Sequence, residues 1–159
     1  MPDDNSSILI YNQKTMEHFA NPKNVGVVEK FNGRGKIGDP GCGDICEITT
    51  LIEDNIVKDI KFRVQGCAGA IATTSVVTVL AKGKHCDQAL QLTDDDVVEY
   101  LGGLPEQKQH CSLLGIRALR QAIYDYWLYK SLLESGQITT REEHEEIRAE
   151  LFQQFAAEF

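Results

Sequence analysis

The stretch Val64–Ser75, VQGCAGAIATTS, decides how the chain is organised. Before it, apolar and polar residues alternate up to Gln65, which predicts a strand with one buried face. After it, apolar residues return at helical spacing. Cys67 therefore lies at a Gly-rich turn between a strand and a helix, where unpaired backbone N–H groups and the helix dipole favour the thiolate. A thiolate can act as nucleophile or metal ligand, although a buried structural thiol would also fit this corner.

Size and charge limit the classes of protein to which the chain can belong. A chain of 159 residues is most simply one domain, and a net charge of -8 argues against a nucleic-acid-binding surface. No apolar run has membrane-spanning length, so no membrane association is expected. Residues 1–7 are acidic and polar, which predicts a disordered N-terminus and a cytoplasmic address. Five widely spaced cysteines favour thiols or metal ligands over a disulfide framework.

The order of predicted elements favours an α+β fold. Strands come first, with hairpin connections, and helices follow, which predicts a small antiparallel three-stranded sheet with helices packed on one side. A capping box at Thr140–Glu143 begins an extra, amphipathic C-terminal helix. The main domain is expected over residues 8–135 and the helical extension over 136–159. The predicted elements are a helix over Ile8–Ala20, strands near Lys36–Ile37 and over Ile45–Ile52 and Ile56–Gln65, and helices at about 68–82, 85–91, 93–101 and 109–135.

Three separate turns carry side chains that can bind metal. They are Cys42-Gly43-Asp44, Gly66-Cys67 and Gln109-His110-Cys111. Each turn lies at an element boundary, where a rigid scaffold can hold a ligand. Thiolate and imidazole suit zinc or iron–sulfur clusters, but the chain lacks the paired CxxC knuckles of a zinc finger.

The chain resembles the iron–sulfur cluster scaffold family typified by IscU and the N-terminal domain of NifU. The resemblance covers about residues 9–129 and keeps the order and separation of five motifs. The matching stretches are Asn21–Gly26, Cys42-Gly43-Asp44, Gly66–Ala72, Gly83-Lys84, and Leu104-Pro105 followed by Lys108 and His110-Cys111-Ser112.

The resemblance implies a site, a cargo and partners. A labile 2Fe–2S cluster, which could lead on to 4Fe–4S, would be built on Cys42, Cys67 and Cys111, with His110 and Asp44 as the remaining or exchangeable ligands. The same donors would also hold zinc in the cluster-free form. Sulfur would come as persulfide from a pyridoxal-phosphate cysteine desulfurase, with Cys111 as the acceptor. Electrons would come from a donor such as a ferredoxin, and apo-proteins would receive the cluster. The implied protein is a carrier and not an enzyme.

Some residues depart from the family pattern or fall outside it. Where the branch served by an Hsp70-type chaperone carries Leu-Pro-Pro-Val-Lys, this chain has Leu-Pro-Glu-Gln-Lys at 104–108, which argues against recognition by that chaperone. Cys46 and Cys86 are predicted to be packing residues. His144 lies in a run of glutamates and is predicted to be solvated. The C-terminal helix would either dock on the body or serve as a dimer or partner contact.

Two other functions are compatible with these residues. A zinc-containing sulfurtransferase of the SufU kind would also accept persulfide, but that branch has an insertion between its second and third cysteines and lacks the His that is present here as His110. A nucleophilic enzyme could use Cys67, His110 and Asp44 for acyl transfer. Such a hydrolase needs one cysteine beside its His. With three cysteines around one His, the others would be redundant and prone to oxidation, which argues against this function.

Overall fold

The computed structural model describes residues 12–38, 43–105 and 111–155. Its elements in chain order are α1 (Gln13–Ala20), β1 (Gly33–Gly38), β2 (Ile45–Glu53), β3 (Ile56–Gln65), α2 (Ala68–Ala81), α3 (Cys86–Leu90), α4 (Asp94–Tyr100), α5 (Cys111–Glu134) and α6 (Arg141–Phe155). The predicted α+β class, the three-stranded antiparallel sheet and the extra C-terminal helix are confirmed. Of the first predicted helix, residues 8–11 lie outside the described ranges, and α1 begins after Asn12, which caps it.

The sheet has the order β1-β2-β3, and both pairs are antiparallel. Asp54 and Asn55 connect β2 to β3 with φ of 54° and 59°. Two successive positive φ angles define the hairpin turn whose twist matches that of the strands, and Asp and Asn tolerate this conformation. The turn pairs Ile52 with Val57, and a register shift between Leu51 and Ile52 then gives the pairing that brings Gln65 opposite Ile45, two residues before Cys67.

Helix α2 runs through the core of the molecule. Its sequence contains no charged residue, and ten of its residues are buried. The Thr73, Thr74 and Thr78 hydroxyls donate to carbonyls of their own helix, so burial leaves these polar groups satisfied. Apolar side chains from β2, β3, α4 and α5 surround the helix; the largest fully buried are Phe62, Ile48, Ile52, Ile60, Leu101, Ile116, Leu119 and Ile123.

Helix α5 lies directly against β1. A Cβ atom at Gly35 would lie 2.8 Å from the Ala122 nitrogen, and one at Gly33 would lie 2.6 Å from the Ala122 carbonyl oxygen. Glycine at both positions allows the helix backbone to approach the strand backbone. The nearest α5 backbone atom is the Ala122 carbonyl oxygen for Gly33 and the Ala118 carbonyl oxygen for Gly35. Residue numbers thus rise along β1 while they fall along α5, so the helix runs antiparallel to the strand. The beginning of α5 is therefore directed toward the Gly38 end of the strand.

Helix α6 docks through a basic stripe. The prediction that His144 is solvated is wrong, because its side chain is fully buried and its Nε2 lies 2.7 Å from Oδ1 of Asp125 on α5. Arg141 and Arg148 also contact Asp125. These three residues lie at i, i+3 and i+7, so they share one face of the helix. Of the predicted capping box, the Glu143 N–H donates to the Thr140 hydroxyl, while the Glu143 carboxylate accepts from Thr139.

Over the described ranges, none of the helices combines the length and the apolar character needed to cross a membrane.

Candidate metal site

Cys67 is the N-cap residue of α2. Its backbone is extended, with φ of -75° and ψ of 167°, and its Sγ accepts a hydrogen bond from the Ala70 N–H at 3.4 Å. The first N–H groups of a helix have no partner within the helix, so they stabilise a negatively charged sulfur. The side chain is partly exposed. The predicted strand–turn–helix setting of Cys67 is therefore what the chain adopts.

Asp44 lies against the same turn. Its Oδ2 is 3.6 Å from Cys67 Sγ, and the residue is buried. A Cβ atom at position 66 would lie 2.6 Å from both Cγ and Oδ1 of Asp44, so Gly66 provides the space that the carboxylate occupies. A hard oxygen and a soft sulfur thus lie side by side. Such a mixed pair can contact one metal ion, since iron and zinc accept both donor types.

The remaining predicted ligands are only partly within the described ranges. Cys42 and His110 lie outside them, and Cys111 is the first residue of α5, with its side chain outside the described part. In the part of the chain that is described, no three His, Cys, Asp or Glu side chains form a metal-binding group. The structure therefore brings Asp44 and Cys67 together and places the backbone of Cys111 at the start of α5, while Cys42 and His110 stay predictions.

The described elements that flank the candidate turns meet at one end of the sheet. Gly38, Ile45 and Gln65 pair side by side across the three strands. Cys42 follows Gly38 by four residues, Asp44 directly precedes Ile45, and Cys67 follows Gln65 by two. Helix α5, which Cys111 begins, is antiparallel to β1 and starts toward this same end. Residues far apart in sequence are thus carried to one region by strand register.

Cys46 and Cys86 are fully buried in the core, although Cys46 lies only two residues beyond Asp44 on β2. Burial raises the pKa of the Cys46 thiol to about 12, and its Sγ lies 3.8 Å from the Thr74 hydroxyl in the core. Burial also raises the pKa of Cys86 to about 11. Both therefore remain protonated near neutral pH and do not provide thiolates. The prediction that these two cysteines are packing residues is confirmed.

A buried carboxylate lies on the outer face of the sheet, near the candidate site. Glu47 on β2 accepts from Arg34 Nε at 2.8 Å and from Arg63 Nε at 2.9 Å. Burial would raise the pKa of Glu47, but hydrogen bonds from Arg63 and Arg34 hold it below its usual value. The charged row ties together the strands that lead to the candidate turns.

Sequence reasoning missed the charged cluster that surrounds Asp125. The available signal was the spacing of Arg141, His144 and Arg148, which places three basic side chains on one face of an otherwise acidic helix. The apolar residues of the segment predict an amphipathic helix but not this charged face. The carboxylate partner could not be identified, because Asp125 lies on a different helix.

Comparison with known proteins identifies a family. The model of the NifU-like N terminal domain matches residues 10–131. The iron–sulfur cluster assembly scaffold protein IscU 1 of Archaeoglobus fulgidus is 52% identical over 118 residues, which are 74% of this chain and 77% of that protein. The scaffold protein IscU of Aquifex aeolicus is 44% identical over 128 residues, covering 79% of this chain and 82% of its own.

Longer relatives and solved structures agree with that match. Nitrogen fixation protein NifU of Azotobacter chroococcum is 40% identical over 118 residues, which are 73% of this chain but 38% of NifU. The crystal structure of the N-terminal part of a NifU-like protein from Brucella abortus superposes with a TM-score of 0.65 at 20% identity, covering 75% of this chain and 95% of that one. At this identity the superposition shows that the fold is shared.

Proposed function

Because the chain belongs to the NifU-like N-terminal domain family, we propose that it is a scaffold on which an iron–sulfur cluster is assembled and from which it passes to apo-proteins. One observation carries the proposal: strand register and helix direction bring Asp44, Cys67 and the start of α5 at Cys111 to the end of the sheet at which β1 ends, four residues before Cys42 in the sequence. Relatives named as scaffold proteins share half of the matched sequence. The scaffold unit would span residues 8–135, with 136–159 as an extension, in the cytoplasm.

The chemistry of the donors suits a cluster that is held and then released. In the proposed site, Cys42, Cys67 and Cys111 bind the irons of a 2Fe–2S cluster, and Asp44 and His110 are the exchangeable ligands. Four thiolates would suit a permanent electron-transfer centre, whereas a carboxylate oxygen is displaced more readily from iron. The contact between Asp44 and the Cys67 turn supports this arrangement, because the oxygen already lies beside the sulfur.

Sulfur would reach the site as persulfide. The Cys111 thiolate attacks the outer sulfur of a persulfide on a cysteine desulfurase, and the desulfurase thiolate leaves. Two electrons from a separate donor, such as a ferredoxin, reduce the transferred sulfur to sulfide, which then bridges iron. Cys111 begins α5, where the free N–H groups of the first turn favour the thiolate. The protein itself returns to its starting state only after it has transferred the cluster.

Anaerobic reconstitution with ferrous iron, cysteine and a desulfurase tests the proposal. We expect thiolate-to-iron charge-transfer bands, with iron and sulfide in equal amounts. Replacing Cys42, Cys67 or Cys111 by Ser should abolish these bands, whereas Cys86→Ser should retain them because that thiol is buried in the core. If the chain retains only zinc yet stimulates the desulfurase and gains sulfur on one cysteine, it is a sulfurtransferase of the SufU kind and the scaffold proposal is wrong.

A further inference from the structure

We propose that the C-terminal helix α6 is a clamp that fixes β1 against α5 and thereby controls how firmly the cluster is retained. The clamp consists of Asp125 on α5 and of Arg141, His144 and Arg148 on α6. The inference rests on the proposed scaffold function, since it concerns the retention of that cluster. It assigns a role to α6, which lies beyond the residues 10–131 that the family model matches.

The first step is that one buried carboxylate joins three elements. Oδ2 of Asp125 accepts from the Arg34 backbone N–H of β1 at 2.9 Å and from Arg141 Nη2 of α6 at 2.7 Å. Its Oδ1 contacts His144 Nε2 at 2.7 Å and Arg148 Nε at 3.1 Å. Charged hydrogen bonds of this kind are the strong ones, and they weigh more where water is excluded. Loss of any one partner would leave a buried charge less well compensated.

The second step is that α5 and α6 bind the outer edge of β1. Beside the Arg34 N–H, the Arg34 carbonyl accepts from Arg148 Nη2 at 2.9 Å, and the Lys36 N–H donates to the Gln121 side chain. Arg141 Nη1 donates to the Asn32 carbonyl at 3.0 Å, just before the strand begins. An edge strand normally presents such groups to solvent or to another strand. Here the helices bind them one by one, which fixes the strand along its length.

The third step concerns what the clamp adds to direct packing. Glycines at 33 and 35 let the α5 backbone approach β1 closely, but they present no side chain that would interlock with the helix. Directional hydrogen bonds, which Asp125 and Gln121 accept from backbone N–H groups of β1 and which Arg148 donates to a β1 carbonyl, provide the missing register between strand and helix. Such bonds fix position more narrowly than apolar contact, which has no preferred direction.

The fourth step links the clamp to the cluster. Strand β1 ends at Gly38, four residues before Cys42 in the sequence, and α5 begins with Cys111, so the clamp joins the strand that precedes one proposed thiolate ligand to the helix that begins with another. A shift of the strand along the helix would change the separation of these ligands. Because metal–ligand geometry tolerates only small displacements, a loosened clamp would weaken cluster retention. The clamp residues thus act as positioning residues.

Arg148→Gln is the decisive variant. It removes one cation from Asp125 and the donor to the Arg34 carbonyl, while Arg141, His144 and the Arg34 N–H remain as partners of Asp125. Lys130→Gln is the matched control, because it removes one positive charge from an exposed position on α5. Arg148→Lys restores the charge without the guanidinium fork, and we expect it to be intermediate. Two quantities are measured on the full chain: hydrogen exchange of the Arg34 and Lys36 amides, and the half-life of the reconstituted cluster under an iron chelator.

The clamp predicts that both quantities change together. In Arg148→Gln the Arg34 amide exchanges faster and the cluster is lost about three- to tenfold faster than in wild type. Lys130→Gln matches wild type in both. Faster amide exchange in Arg148→Gln with an unchanged cluster half-life would overturn the clamp inference but not the proposed function. Unchanged amide exchange in this variant would do the same. A wild-type chain that assembles no cluster would overturn the proposed function, and the clamp inference with it.

Discussion

At the scale of single residues, Gly66 and Asp44 decide the local geometry of the candidate site. The carboxylate of Asp44 occupies the space where any other residue at position 66 would place its Cβ. Only the absence of that atom allows the oxygen to lie 3.6 Å from Cys67 Sγ. A glycine in a strand-to-helix turn is usually explained by backbone conformation, but here the reason is a close approach of a neighbouring side chain.

Gly66→Ala should therefore destabilise the fold by about 1–3 kcal/mol, the usual cost of inserting a methyl group into a packed site. Thermal unfolding of the cluster-free protein measures the change. Gly38→Ala is the control, because its nearest atoms would lie 3.9 Å from the added Cβ. Combining Gly66→Ala with Asp44→Ala should recover most of the loss, since the clashing carboxylate is then gone. A double variant no more stable than Gly66→Ala would show that the clash is not the cause.

Asp44→Ala on its own should slow cluster transfer by roughly tenfold, which corresponds to about 1.4 kcal/mol in the barrier. The physical reason is that Asp44 offers iron a weakly held oxygen during exit, and alanine offers none. The rate of transfer to an apo-ferredoxin, followed by visible circular dichroism, measures the change. Asp87→Ala, at an exposed carboxylate on α3, should transfer at the wild-type rate. An unchanged rate in Asp44→Ala would contradict the role assigned to this residue.

At the scale of elements, α6 docks by charge where a terminal helix usually docks by apolar burial. Ile138, just before the helix, and His144 within it are buried, and the contact with α5 is built around Asp125. Burial would raise the pKa of Asp125, but the hydrogen bond from His144 and the charge of Arg141 hold it below its usual value. Burial also disfavours the charged form of Arg148 and lowers its pKa, although the charges of Asp125 and Glu145 act in the opposite direction. The interface is therefore sensitive to proton concentration.

The sign of that sensitivity follows from the depressed pKa of Asp125. Its contribution to stability is fully present above the unfolded pKa of about 4 and is lost as pH falls through the lower folded value. At neutral pH, Asp125→Asn should cost about 3–5 kcal/mol, because it leaves buried cations without their partner. In urea unfolding, the difference from wild type should shrink as pH falls below about 4. Asp95→Asn, an exposed control on α4, should cost little at either pH. A pH-independent difference would contradict this account.

At the scale of the whole molecule, β2, α2, α3 and α5 share one hydrophobic core. Cys46 on β2 and Cys86 on α3 both lie within it with no exposed surface, whereas Cys67 lies at its margin. A thiol reacts only if the reagent can reach it and if it loses its proton. For Cys46 and Cys86, burial prevents access, and the raised pKa values oppose deprotonation.

Alkylation of the cluster-free protein should therefore separate the thiols of Cys46, Cys67 and Cys86 into two classes. Cys67 should react in the folded protein, while Cys46 and Cys86 should react only through global unfolding and hence at similar rates. Peptide mass spectrometry after timed exposure to iodoacetamide measures each rate. Added urea should accelerate Cys46 and Cys86 in parallel and far more than Cys67. If Cys86 reacts much faster than Cys46, then α3 opens on its own and the core is not one cooperative unit.

Local sequence determined most of the architecture. Alternation up to Gln65 predicted β3, the order of the strands predicted hairpin connections, and the Thr140–Glu143 pair predicted the start of the C-terminal helix. These signals are short-range, because a strand face, a turn or a cap depends on residues only a few positions apart. The motifs also carried the family resemblance that the comparisons bear out.

Only the tertiary structure decided the burial of His144 and the position of Asp44 beside the Cys67 turn. Both depend on a partner that the fold brings from elsewhere: Asp125 lies 19 residues from His144, and Asp44 lies 23 residues from Cys67. Whether a polar side chain is solvated or buried is settled by the charge it meets, since a buried polar group is stable only when it is paired. Periodicity predicts which side chains share a helix face, but it does not identify the residues that this face contacts.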